Sequence, residues 1–382
     1  MRLFLIAAAL ATFGFAKQPD PLIWGGMKPG PHAIGFRSYF ELDETRRFDR
    51  PRGPRPILVH IWYPAGAPPT EPLRYREYVT LPPLPRYPLF GPELEKFLLD
   101  AVSEGLFRKK NSALNREERD FFDALLAKST LAYRDAPPSP GRFPVLLYHS
   151  GAAGSFEENS VMCEYLASHG YVVMTSAFPS LDGQHVSNNY GEPETSWSDL
   201  TYLLAHARTL AFADPLKAGA FGHSMGAQYL LEWIGQRHAP LRAVVSLDST
   251  LEYTPQGYPG HRSLRKRFAR LGPTRVPVLI AASADRRPNF ATWNRYLPRR
   301  AEVAVRYFNH SDFLLHGSLA RAFGRDQEVE VRRNYDRLAQ AVCAFFDAQL
   351  RGSSANWKQL VTENSDDFRV TERRIDSATP AR

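Results

Sequence analysis

Cysteine is nearly missing from this chain: Cys163 and Cys343 are the only two in 382 residues. Two thiols cannot build the disulfide framework of a small secreted scaffold, and neither has the spacing of a zinc ligand set or a redox pair. No P-loop occurs, and no internal repeat, poly-Gln tract or Gly-X-Y period, which removes solenoids and collagen-like fibres. An excess of one charge sign is small. Lys and Arg number 48 against 40 Asp and Glu, for a formal net charge of +8. These charges are scattered, apart from Arg108-Lys109-Lys110 and the stretch from His261 to Arg270, and both stretches read as solvated faces. Nucleic acid is therefore not among the expected partners.

What is present suffices for a large core, since 43% of residues are hydrophobic and 23% charged, a balance that excludes a mostly disordered chain. Thirty-one prolines and 25 glycines promise many turns and long loops. At the start, Arg2 precedes an apolar run from Leu3 to Ala16, broken only by Thr12 and Gly14. As a helix this run would reach about 21 Å, short of a hydrocarbon core of roughly 30 Å. Small residues at Gly14 and Ala16 suit a signal peptidase, so residues 1–16 are expected to be a signal peptide and the protein to be exported. No other run approaches the length of a membrane span.

Further on, His32 to Leu42 and Pro56 to Tyr63 alternate in strand fashion and predict an antiparallel pair. Two helical patterns follow a proline-rich stretch, Glu93 to Leu106 and Arg116 to Lys128. The second opens on a capping box, Asn115 with Glu118. They interrupt the strands, so residues of about 91–130 read as a helical insertion. From Phe143 short apolar runs alternate with helices: Phe143–Tyr148, Tyr171–Ser176, Ala218–Gly222, Leu241–Leu247, Pro277–Ala282 and Val303–Phe308, then a helix from about Gln327 to Leu350. This alternation predicts an α/β fold with a doubly wound, mostly parallel sheet. The domain is expected over 17–351, with 352–382 as a polar tail.

Gly222-His223-Ser224-Met225-Gly226 fits G-x-S-x-G, with an apolar strand before it and an amphipathic helix after it. A sharp strand-to-helix turn pushes a serine outward and leaves no room for β-carbons on either side, which is why both flanking positions are glycine. Ser224 is thus a candidate nucleophile, and His223, facing away, a packing residue. A serine hydroxyl needs an imidazole to take its proton and a carboxylate to hold that imidazole. On such a sheet the order is Ser, acid, His. Of His238, His261, His310 and His316, His310 directly follows the last strand and leads, with His316 the weaker alternative. Asp248 and Asp285 both end parallel strands and either could serve; Asp312 is too close to His310 in sequence. For the developing oxyanion, Met225 N–H is one expected donor. Ala152, in the small-residue loop His149-Ser150-Gly151-Ala152-Ala153-Gly154, is the other.

Together, Arg55 to Ala65, Pro144 to Gly151, Gly222 to Gly226, Ser246-Leu247-Asp248 and His310 to Phe313 resemble the α/β-hydrolases of the platelet-activating-factor acetylhydrolase type. More distantly they resemble dienelactone hydrolases and bacterial cutinases, over roughly residues 31–350. The resemblance implies an α/β-hydrolase fold and places the acid after the strand that follows the elbow helix, which here is Asp248. The chain differs in reading His149-Ser150-Gly151 where the family has Ser-His-Gly, and a serine stands where dienelactone hydrolases have cysteine. The resembling fold also brings Cys163 and Cys343 to one face of the sheet, where a disulfide is conceivable. The function expected is a serine hydrolase of small-molecule or lipid carboxylic esters, working through an acyl-enzyme with no cofactor or metal. A serine peptidase or amidase, and a non-catalytic binding protein on the same fold, are the alternatives.

Overall fold

The computed structural model describes residues 19–48, 52–66, 71–152, 154–179, 193–236, 239–253, 266–324 and 327–375. The expected signal peptide lies outside them, as do His238 and His261. Among the described residues ten strands form a single sheet: β1 (Ala33–Phe48), β2 (Gly53–Ala65), β3 (Ala132–Arg134), β4 (Phe143–His149), β5 (Val172–Thr175), β6 (Ala213–His223), β7 (Ala243–Leu247), β8 (Val278–Ser283), β9 (Arg299–Val305) and β10 (Phe368–Arg374). Their spatial order is β10-β9-β8-β7-β6-β4-β5-β2-β1-β3. The block from β5 to β9 is parallel throughout. The long β1–β2 hairpin joins it antiparallel through β2 and β5.

A strand turns successive side chains to opposite faces, and a parallel sheet covered on both faces must be apolar on both. β7 and β8 show this: Val245, Leu247, Leu279 and Ala281 enter one core, while Val244, Val278 and Ile280 enter the other. The first core is roofed by the helices Ser160–Ser168 and Glu328–Phe346, and the second by Pro193–His206 and Met225–Gln236. The sequence patterns of the parallel strands and crossover helices thus correspond to elements seen in the fold.

The insertion forms the helices Phe90–Phe107 and Arg116–Leu126. Asn115 and Glu118 make the reciprocal capping bonds, each 2.9 Å. Leu94, Leu98 and Val102, one helical turn apart, sink with Phe122 and Leu125 into the same core that backs the sheet. The insertion is therefore continuous with the body. One of its glycines, Gly105, has space for no β-carbon because the ring of His316 fills it.

The tail is a correction. Polar residues after Gly352 were expected to lie outside the domain, but Ala355–Thr362 is helical and Phe368–Arg374 is β10, paired antiparallel with β9 at the sheet edge. Phe368, Val370 and Trp357 are buried, and the outward residues of the strand are charged. An edge strand that buries one face and exposes arginines on the other has a polar composition, which is why the stretch did not read as a strand. Cys163 and Cys343 are both buried and free. Among the described residues no helix is long and apolar enough to cross a membrane.

Candidate active site

β6 ends at His223, and Ser224 follows with φ 51°, a left-handed conformation, before the helix Met225–Gln236 begins. That turn is crowded. A β-carbon on Gly222 would lie 2.9 Å from the carbonyl carbon of Gly226, and one on Gly226 would enter the carbonyls of His149 and Ser150. The Ser224 N–H donates to Leu247 O at 3.0 Å, tying the turn to the end of β7. Strain of this kind persists only where the surroundings over-determine it, and here three strand ends do so.

The loop after β9 brings His310 to the serine. His310 Nε2 lies 2.9 Å from Ser224 Oγ, and its Nδ1 lies 2.5 Å from Asp248 Oδ2. A carboxylate can only accept, so Nδ1 carries the hydrogen and Nε2 is left to accept from the serine hydroxyl. Three bonds hold the loop in place. The buried His223 donates from Nε2 to His310 O at 2.9 Å, Asp312 accepts from Asn309 N–H at 2.6 Å, and Asp285 accepts from Tyr307 N–H at 2.5 Å. Burial pushes the His223 pKa down, so this ring stays neutral and serves as a strut rather than a base.

Asp248 is fully buried at φ 46°, and its N–H donates to Ala281 O at 2.8 Å. Besides His310, its carboxylate accepts from the Tyr253 hydroxyl and meets Arg286 Nη1 at 3.3 Å. Tyr253 in turn accepts from Ser283 N–H at 2.8 Å, and the Arg286 guanidinium stacks 3.8 Å from the centre of its ring. Gln228 on the helix Met225–Gln236 donates to Ser249 O at 2.7 Å, fastening the loop that carries Asp248 from the other side. A buried carboxylate is tolerated when it has several donors of this sort.

Asp285 does not join this group; it is half-exposed and bonds Tyr307 N–H and Arg306. His316 is also elsewhere. It is buried against Tyr75 and the insertion, and burial pushes its pKa down to about 3. Of the expected oxyanion donors, Met225 opens the elbow helix, where first-turn N–H groups lack intrahelical acceptors. Ala152 stands at an exposed turn after β4. The main chain beside it runs close to Ser224, since a β-carbon on Gly151 would lie 3.3 Å from Ser224 Cβ. Tyr253, Arg286 and Gln228 escaped sequence reasoning because no motif or periodicity marks them. Among the described residues no group of three His, Cys, Asp or Glu side chains could hold a metal ion. Chemically, the arrangement can deprotonate a serine hydroxyl as it attacks, and return the proton to a leaving group.

No family model matches the chain, and no curated protein matches it in sequence. Among solved structures, a ferulic acid esterase from Streptomyces cinnamoneus superimposes with a TM-score of 0.59 at 16% identity, covering 94% of this chain and 98% of that one. With the mostly parallel sheet, the flanking helices and the strand-to-helix turn described above, the architecture is an α/β-hydrolase fold.

Proposed function

We propose that the protein is a carboxylic ester hydrolase with Ser224 as nucleophile, His310 as base and then acid, and Asp248 as the residue that orients His310. The observation that carries this reading is the continuous line of contact from Asp248 Oδ2 through the imidazole to Ser224 Oγ, at 2.5 and 2.9 Å. Ser224 Oγ attacks the ester carbonyl as its proton passes to His310 Nε2, while Asp248 stabilises the imidazolium. The oxyanion is held by the N–H groups of Met225 and Ala152. His310 then protonates the departing alkoxide, leaving an acyl-serine. Water, deprotonated by His310, releases the acid and restores the serine. No step needs a cofactor.

For the substrate, the sequence resemblance to platelet-activating-factor acetylhydrolases favours short acyl groups. The likeness to a ferulic acid esterase favours aromatic acyl groups. Both share a carboxylic ester, and rates on p-nitrophenyl acetate, p-nitrophenyl butyrate and methyl ferulate separate them. The Leu3–Ala16 run supports export, and N-terminal sequencing of the mature protein should then begin at Lys17.

The deciding experiment is a fluorophosphonate probe with parallel ester and peptide-anilide assays. We expect Ser224 to be labelled and esters to be cleaved well ahead of anilides. Ser224→Ala should lose label and lower kcat by several orders of magnitude, with an unchanged melting temperature. Retention of more than about a tenth of the activity would remove Ser224 from the mechanism.

A further inference from the structure

We propose that Glu158 is a positioning residue for the oxyanion loop, gripping the main chain of Gly151 from beneath so that the following residue, Ala152, is presented to substrate beside Ser224. The proposal rests on the hydrolase reading above and goes beyond it in assigning a group that touches neither substrate nor triad.

Glu158 lies in the single turn Phe156–Asn159, ahead of the helix Ser160–Ser168, and its side chain is buried. Its Oε1 accepts the Gly151 N–H at 3.1 Å and the Tyr148 hydroxyl at 2.6 Å. Two main-chain bonds flank this carboxyl. Gly154 N–H donates to Gly151 O at 3.2 Å, and Glu158 N–H donates to Ser155 O at 3.1 Å. Gly154 passes so near that a β-carbon there would collide with Glu158 Oε2. A glycine is therefore needed at 154 for the carboxyl to sit where it does.

Two consequences follow. The Gly151 N–H is already engaged, so it is not free to hold an oxyanion, and the duty falls to the next N–H, that of Ala152. Moreover a small-residue loop has little side-chain packing to define it, and a preorganised donor needs a fixed main chain. The carboxyl supplies that fixing point from within the core. Burial also pushes its pKa up to about 7, so an uncharged acceptor is compatible with the site.

The test compares Glu158→Met, which removes the acceptor at similar length, with Glu158→Gln, which keeps it. On p-nitrophenyl acetate Glu158→Met should lower kcat by about 10- to 100-fold, somewhat less than deletion of an oxyanion donor, with KM within about threefold. Glu158→Gln should return kcat to within about threefold of wild type, a rescue that depends on the acceptor being kept. Should Glu158→Met fail to fold, Gly154→Ala serves instead. Its methyl displaces the carboxyl while the core residue stays, and kcat should fall at least about tenfold with KM unchanged. The proposal is overturned if Glu158→Met or Gly154→Ala keeps wild-type kcat, if KM rises while kcat holds, or if glutamine fails to rescue. Wild-type protein that neither labels with fluorophosphonate nor cleaves esters would instead sink the hydrolase reading itself.

Discussion

The ends of β7 and β8 lie side by side in the sheet, and each is followed by an aspartate. Asp248, after β7, adopts φ 46° and is wholly buried, with His310, Tyr253 and Arg286 around its carboxylate. Asp285, after β8, sits in the short 3-10 turn Ala284–Arg286, half-exposed, and holds the backbone of Tyr307. One strand end therefore carries a carboxylate that contacts the imidazole. The other carries one that supports the loop on which the imidazole is mounted. A carboxylate at the end of a parallel strand is in the right region for chemistry, but the backbone conformation of the residue and the donors it meets decide what it does there.

The largest expected effect tests that contrast directly. Asp248→Asn should cut kcat by roughly 10⁴, because an amide at this position can stabilise the wrong imidazole tautomer and cannot balance an imidazolium. Single-turnover kinetics on p-nitrophenyl acetate measure it. Next, Tyr253→Phe removes one donor to the same carboxylate and should lower kcat by about tenfold, equivalent to about 1.4 kcal/mol of lost positioning. A larger loss than that of Asp248→Asn would mean that the phenol, not the aspartate, sets the imidazole.

Asp285→Asn should then change kcat by no more than about threefold, since an exposed residue that keeps an acceptor for Tyr307 N–H loses little. If this variant were the inactive one and Asp248→Asn nearly wild type, the acid would move one strand along. The smallest effect concerns a buried carboxyl held by three uncharged donors. Glu164 accepts from the Tyr78 hydroxyl, Trp24 Nε1 and Leu131 N–H at 2.7, 3.1 and 3.0 Å, and burial pushes its pKa up to about 7. In the unfolded chain it would release its proton near pH ~4.3. Between these values the folded state holds more protons, so this group's stabilisation is present at low pH and is lost as pH rises toward 7. Glu164→Gln should remove that slope. Melting temperatures at pH 5 and pH 8 should show the variant gaining on wild type at the higher pH.

Much of the fold was legible because its rules are local. The apolar runs of β4, β6, β7, β8 and β9 are bounded by turns, and the helices between them are amphipathic. Two glycines spaced around Ser224 state a steric requirement that few other turns impose. His310 could be favoured because it directly follows a strand run. What stayed hidden depends on partners far away in sequence. β10 is held by pairing with β9 and by burial of Phe368 and Val370 rather than by an apolar run of its own. Tyr253, Arg286 and Gln228 are ordinary loop or helix residues until the segment of Asp248 and Ser249 folds onto them.

The sequence by itself determined the order of the parallel strands and their crossover helices, the strained serine turn and the histidine that follows β9, since side-chain period, glycine sterics and chain order are properties of neighbouring residues. Strand ends alone left Asp248 and Asp285 open, with the family resemblance favouring Asp248, and the tertiary structure sets Asp248 against that histidine, buries His316 under the insertion and completes the sheet with the polar tail. Each of those outcomes depends on which groups lose water together and which donors then surround them, and that is fixed by the packing of segments tens to hundreds of residues apart.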